Sequence, residues 1–89
     1  EWGLRYFRDT AGREVDFILT LNEIPQLLLE CKLSDTELHP PLRYLKERLS
    51  ETPSWQVYFQ GKKDYETPDA IRVSSFPTFW KEWLSKYPM

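Results

Sequence analysis

The chain has 89 residues, of which 40% are apolar and 16% are aromatic. This apolar fraction excludes a disordered chain, and no apolar run approaches the ~20 residues that a membrane-spanning helix needs. The net charge of -2 and the pI near 5.4 lack the basic balance of a free-standing DNA-binding domain. Tight binding of nucleic acid by this segment alone is therefore not expected.

The N-terminal third of the chain predicts three strands, over residues 2–8, 13–21 and 26–33. Polar turns over 9–12 and 22–25 separate them. Three consecutive leucines in the third strand indicate that both faces of this strand are covered.

The middle of the chain predicts a crossover helix. A connector with two prolines leads into residues 42–51, where Leu42, Leu45 and Leu49 form an apolar stripe. The proline pair suits the first turn of a helix. A fourth strand over 55–60 follows, and a strand, a helix and a strand in this order place the two strands parallel.

The C-terminal third predicts a charged loop over 61–68, a short strand over 70–74 and an aromatic helix over 76–87. The fold class is therefore α/β. Its mixed sheet combines an antiparallel three-strand meander, a crossover helix and a further parallel strand, with helices flanking the sheet. We expect residues 1–89 to form a single domain, and because residue 1 is Glu rather than Met, we expect a fragment of a longer protein.

The residues with the clearest chemical potential are Asp16, Glu30 and Lys32. Strict alternation puts residues 14, 16, 18 and 20 on one face of the second strand, and 15, 17, 19 and 21 on the other. One register sets Asp16 opposite Glu30 and Glu14 opposite Lys32, and a slip of two residues sets Asp16 opposite Lys32. Both registers keep the three side chains on one face, whereas a slip by one residue would expose the apolar row to solvent, so the pattern selects these two registers.

Two neighbouring carboxylates repel each other unless a cation lies between them. Mg²⁺, or Mn²⁺ in its place, takes oxygen ligands and also binds phosphate, so Asp16 and Glu30 are the predicted metal ligands. Lys32 would position or deprotonate the attacking water, which makes all three residues candidate catalytic groups. The pattern is typical of metal-dependent phosphodiester hydrolysis.

The spacing of these residues resembles that of the PD-(D/E)XK nuclease superfamily. More closely, the run Gly-Arg-Glu-Val-Asp at 12–16, followed by Glu-Cys-Lys at 30–32, is similar to a C-terminal domain of unknown function in prokaryotic AAA+ ATPases. The resemblance implies a restriction-endonuclease-like fold, an upstream ATPase module in cis and DNA as a partner. No P-loop sequence is present, so this segment is not expected to bind nucleotide by that route.

Other interpretations compete with hydrolysis. The trio could be a surface charge cluster or an inactive inherited site, which would make this a regulatory domain that binds protein or DNA for the attached ATPase. The apolar stripe over 76–84 is most simply part of the core, but if some of it stays exposed, Trp80 and Trp83 suit a protein partner, since Trp is favoured at interface anchors. Paired carboxylates also occur in glycosidases, but the lysine favours phosphate chemistry.

Several single residues carry weaker expectations. His39 has no His or Cys companion in the sequence, which argues against zinc. Glu14 is expected to pair with Lys32, and Gln56 is expected at a solvated strand position. Cys31, the single cysteine, cannot form an internal disulfide and is expected to be a reduced, buried thiol, which fits a cytoplasmic location.

Overall fold

A six-stranded mixed sheet with a helix on each face forms the frame of the computed structural model, which describes residues 1–34 and 36–86. The strand order is first, second, third, fourth, sixth and fifth. The elements are β1 (Trp2–Arg8), β2 (Glu14–Leu21), β3 (Ile24–Ser34), α1 (Pro40–Arg48), β4 (Ser54–Gln60), β5 (Tyr65–Glu66), β6 (Ile71–Ser75) and α2 (Phe76–Lys86).

The predicted architecture is confirmed at the level of strand pairing. β1, β2 and β3 form an antiparallel meander, and β3 and β4 are parallel neighbours joined through α1. β6 extends the sheet in parallel beside β4. The two-residue strand β5, which pairs antiparallel with β6, was not predicted because its segment is short and charged.

The boundaries of β3 and α1 differ from the predicted ones, because local backbone geometry sets where each element begins and ends. β3 begins two residues early because Asn22 and Glu23 alone turn the chain, with φ of 51° and 68°. Positive φ at both central residues is the requirement of a tight two-residue hairpin turn. α1 begins at Pro40, so the proline pair does occupy its first turn, and it ends at Arg48. The predicted end of the last helix at Tyr87 lies outside the described residues.

The sheet has a core on each face, as the leucine run of β3 predicts. Leu28 is fully buried on the α1 face, whereas Leu27 is buried on the α2 face. The buried residues of the α1 face are Val15, Leu28, Leu42, Leu45 and Ile71. Those of the α2 face are Leu27, Trp55, Val57, Phe79 and Trp83. Neither helix in the described part of the chain is long and apolar enough to cross a bilayer.

A β-bulge in β2 overturns the predicted alternation of faces. Arg5 of β1 faces Ile18, but Phe7 faces Val15, so β2 has one extra residue between these two pairs. Such an insertion shifts the alternation by one position. Val15 therefore packs on the α1 face, whereas Leu19 packs on the α2 face. Asp16 lies within this bulge.

The aromatic helix α2 uses part of its apolar stripe for the core. Phe79 and Trp83 are buried, and Phe79 packs edge-on against Trp55 at a centroid distance of 5.0 Å. Trp83 belongs to the core, as the simplest interpretation of the stripe predicts. Trp80 is 50% exposed and is accessible to a partner.

Candidate functional site

The site forms where β2 and β3 separate. Phe17 faces Leu29 and Leu19 faces Leu27, which is one of the two registers that the sequence leaves open for the hairpin. Beyond Phe17, the side-chain carboxylates of Asp16 and Glu30 replace backbone carbonyls as hydrogen-bond acceptors between the two strands. Glu30 Oε1 accepts a hydrogen bond of 3.1 Å from the Asp16 amide, and Asp16 Oδ2 accepts one of 2.9 Å from the Cys31 amide. The structure thus brings Asp16 and Glu30 together through reciprocal bonds to the opposite strand.

Glu30 is the buried centre of the site, with an exposed fraction of 4%. Its second oxygen, Oε2, lies 3.3 Å from Nζ of Lys32, so the predicted acid and amine are in contact. Residues 30 and 32 share a face of β3 because they are two positions apart. A buried carboxylate needs such partners, since an isolated buried charge is strongly unfavourable.

His39, which the sequence did not assign to the site, completes this cluster. Its Nδ1 lies 3.2 Å from Nζ of Lys32, and its Nε2 lies 2.7 Å from the carbonyl oxygen of Glu14. An ammonium can only donate, so Nδ1 accepts and Nε2 carries the proton given to the carbonyl. This places a neutral imidazole against Lys32, with Nε2 also 3.5 Å from Glu30 Oε2.

Gln56 of β4 fixes the connector that carries His39. Its Oε1 accepts a 2.7 Å hydrogen bond from the His39 amide, and its Nε2 donates to the carbonyl of Glu37 at 3.1 Å. The residue is 2% exposed, so the prediction of a solvated position is wrong. Gln56 can hold the connector because it lies beside Glu30 in the parallel β3–β4 ladder. The sequence indicated only that β3 and β4 lie side by side, because the register that sets Gln56 beside Glu30 is decided by the tertiary structure.

Glu14 does not pair with Lys32. Its carboxylate lies 3.4 Å from Nε of Arg8 at the exposed β1–β2 edge, while its carbonyl binds His39. The prediction fails because β2 and β3 have already separated at this point and Lys32 turns toward Glu30.

The electrostatic effect of the two acids appears at Cys31. Burial raises the pKa of its thiol, and the nearby carboxylates of Asp16 and Glu30 raise it further. The thiolate is disfavoured because its charge would be both poorly solvated and repelled. The Cys31 side chain contacts the apolar cluster on the α2 face, so the expected reduced thiol is partly buried there.

Asp16 and Glu30 are the two carboxylates of the site that could hold a cation. Within the described residues, no three His, Cys, Asp or Glu side chains lie close enough to hold a metal ion. Mg²⁺ often binds through only one or two carboxylates and retains several waters. Asp16 is exposed and borders a groove of about 470 Å³ lined also by Tyr6 and Phe17. Asp16 is therefore the accessible acid of the pair, and Glu30 the buried one.

Comparison with known proteins gives a family but no function. No curated protein and no solved structure matches the chain. A family model described as a domain of unknown function, DUF4143, matches residues 1–79. This match spans the whole sheet, all of α1, the first residues of α2 and every residue of the Asp16–Glu30–Lys32–His39 cluster. The chain therefore belongs to the DUF4143 family.

Proposed function

We propose that this domain is a nuclease-related module of restriction-endonuclease-like fold, which acts on DNA phosphodiesters with Mg²⁺ and is carried by a AAA+ type ATPase. The observation that supports this most is the junction of Asp16, buried Glu30 and Lys32 where β2 and β3 separate. A cytoplasmic location goes with the proposal, because Cys31 is a free thiol.

Each residue has a distinct part in the proposed reaction. Asp16 and Glu30 would hold the cation, Asp16 from the open groove and Glu30 from the buried side. Bound Mg²⁺ would supply an activated water and offset charge on the phosphoryl oxygens. The ammonium of Lys32 donates hydrogen bonds in fixed directions, because Glu30 and His39 hold it from two sides. It would direct a water or a phosphate oxygen toward the carboxylates.

Cation binding can be tested on the 89-residue chain. Titration with Mg²⁺ or Mn²⁺ should shift or broaden the amide resonances of Asp16 and Cys31, because the Cys31 amide donates to the Asp16 carboxylate. Asp16→Asn should remove the response. Glu14→Gln is the matched control, since Glu14 lies two residues away and pairs with Arg8. An unchanged spectrum at millimolar metal would overturn the proposal.

Hydrolysis itself is tested on the intact protein with linear and circular DNA. Cleavage should require Mg²⁺ or Mn²⁺, should be lost in Asp16→Asn and Lys32→Met, and should persist in Glu14→Gln. A contaminating nuclease would cut equally in all preparations, so equal cleavage by the Asp16→Asn protein counts against the assignment.

A regulatory interaction domain is the second candidate function. A groove of about 250 Å³ on the α2 face is lined by apolar side chains that include Leu4, Phe17 and Trp80. These three are 61%, 39% and 50% exposed, which is unusual for large apolar residues unless they contact a partner. Under this function, Trp80→Ser would change the ATPase rate of the full-length protein while Asp16→Asn would not.

A further inference from the structure

Tyr44 of α1 is held between two guanidinium groups. The Cζ atom of Arg13 lies 3.8 Å from the centroid of the ring, and that of Arg48 lies 3.6 Å from it. Phe7 supports the ring from the core side, at a centroid distance of 6.3 Å. The cluster of Arg13, Tyr44 and Arg48, here named the arginine stack, therefore fixes two flexible cations in defined positions.

The arginine stack carries more positive than negative charge. Arg13 forms an ion pair of 2.8 Å with Asp9, which occupies one of its nitrogens. Arg48 donates to the carbonyl of Tyr44 at 3.2 Å and has no carboxylate partner in the described part of the chain. Arg43, on the same helix, is instead paired with Asp69 at 3.0 Å. The stack thus has guanidinium N–H groups left to bind an anion.

The arginine stack lies beside the candidate site. Arg13 directly precedes Glu14, whose carbonyl oxygen accepts a hydrogen bond from the His39 ring. The helix that carries Tyr44 and Arg48 begins at Pro40, next to His39. Both features therefore sit at the same junction of α1 with β2.

We propose that the arginine stack binds the phosphate backbone of a nucleic-acid strand whose neighbouring phosphodiester reaches Asp16 and Glu30. This inference rests on the proposed function and names its substrate contact. The planar guanidinium fork matches phosphate geometry, and its stacking on Tyr44 reduces the entropy lost on binding.

The low overall charge is consistent with such a local contact. A net charge of -2 predicts weak binding by the whole chain. Two arginines fixed on one ring concentrate positive charge at a single place, so they give position and orientation rather than high affinity. Binding should accordingly depend strongly on salt and little on sequence.

The test measures binding of a labelled oligonucleotide by fluorescence anisotropy, in EDTA so that no hydrolysis occurs. We expect Arg48→Gln to weaken binding roughly three- to tenfold at 50 mM salt. The slope of log K against log salt should fall in magnitude by about 0.7 for single strands or about 0.9 for duplex. Arg48 is exposed, so this variant is expected to fold.

Arg43→Gln is the matched control, because it removes the same charge from the same helix. Equal losses of affinity and slope in the two variants would overturn the inference, since they would report general charge only. No loss in Arg48→Gln would overturn it as well.

The outcome is separable from that of the proposed function. Asp16→Asn should retain Arg48-dependent binding, because the arginine stack does not contact Asp16. If DNA binding depends on Arg48 but no variant or condition gives hydrolysis, the inference stands and the nuclease proposal fails. If metal-dependent hydrolysis is found and Arg48→Gln binds normally, the nuclease proposal stands and this inference fails.

Discussion

At the scale of single residues, Glu30 decides the character of the site. Its carboxylate accepts a hydrogen bond from the Asp16 amide, pairs with the Lys32 ammonium and lies near Nε2 of His39, although it is almost fully buried. A buried charge is maintained only where such partners are supplied. The same contacts that fix Glu30 also orient Lys32, so stability and positioning depend on one side chain.

We expect Glu30→Gln to lower the free energy of unfolding by about 1–3 kcal/mol, because Lys32 loses its counter-ion and a charge-assisted hydrogen bond. Urea denaturation followed by Trp fluorescence measures this change. Glu14→Gln, whose carboxylate is exposed, should change stability by less than about 0.5 kcal/mol. A Glu30→Gln protein as stable as the parent would show that the Glu30–Lys32 contact is not formed in solution.

The reactivity of the Cys31 thiol reports the negative charge of Asp16 and Glu30. Because burial and the carboxylates of Asp16 and Glu30 raise the pKa of its thiol, alkylation by iodoacetamide at neutral pH should be slower than for free cysteine. Glu30→Gln removes one of the negative charges and should speed the reaction and move its pH profile to lower pH. The same rate profile in both proteins would exclude an electrostatic effect of Glu30 on the thiol.

At the scale of elements, the β3–α1–β4 crossover builds the site by joining distant segments. Gln56 of β4 holds the connector through the His39 amide and the Glu37 carbonyl. His39 in turn holds β2 through the Glu14 carbonyl. The connector thus ties three strands together next to Glu30, which is why a residue in a loop has a fixed side chain.

Gln56→Leu should destabilise the protein by about 1–3 kcal/mol, because it leaves a backbone donor and a backbone acceptor of the connector without partners. Chemical denaturation gives the magnitude, and the ring resonances of His39 report whether the site loosens. If the variant matches the parent in both measurements, the connector is held by contacts other than Gln56.

The β1–β2 hairpin contains a buried hydroxyl without a hydrogen-bond partner in the described part of the chain. Oγ1 of Thr20 is buried, and no hydrogen-bond partner for it lies within the described residues. Thr20→Val has the same shape without the hydroxyl, so we expect a gain of about 1 kcal/mol in unfolding free energy. Thr20→Ser, which keeps the hydroxyl, serves as the control and should give no gain. Thermal and urea denaturation of the three proteins provide the comparison.

At the scale of the whole molecule, two surface acids link stability to pH. Asp9 has a lowered pKa, chiefly because its side chain binds Arg13. Asp69 also has a lowered pKa, chiefly through the hydroxyl of Thr67 and then through Arg43. A folded-state pKa below the unfolded value means that the contribution is present above the unfolded pKa and is lost as pH falls through the folded one.

We therefore expect the melting temperature to fall as the pH is lowered from about 5 to about 3, across and below the ordinary range of aspartate. Asp9→Asn should make this decline shallower, since the residue no longer titrates. Circular dichroism melts at a series of pH values test the effect. An equally steep decline in Asp9→Asn would show that other groups cause the acid sensitivity.

The sequence by itself determined the pattern of strands and helices, because alternation and the leucine run depend only on which residues are apolar. It also narrowed the hairpin to two registers and placed Glu30 and Lys32, two residues apart in one strand, on the same face of the sheet. These are local relations, and a local pattern is sufficient to specify them.

Only the tertiary structure decided which other groups join the site. His39 contacts Glu14 across 25 residues and Gln56 across 17, and no spacing in the sequence encodes such distances. The bulge at Asp16 was equally hidden, since Val15 and Leu19 have the same apolar character whichever face they occupy. Packing of α1 against the sheet, rather than the order of residues within any one element, brings these groups together.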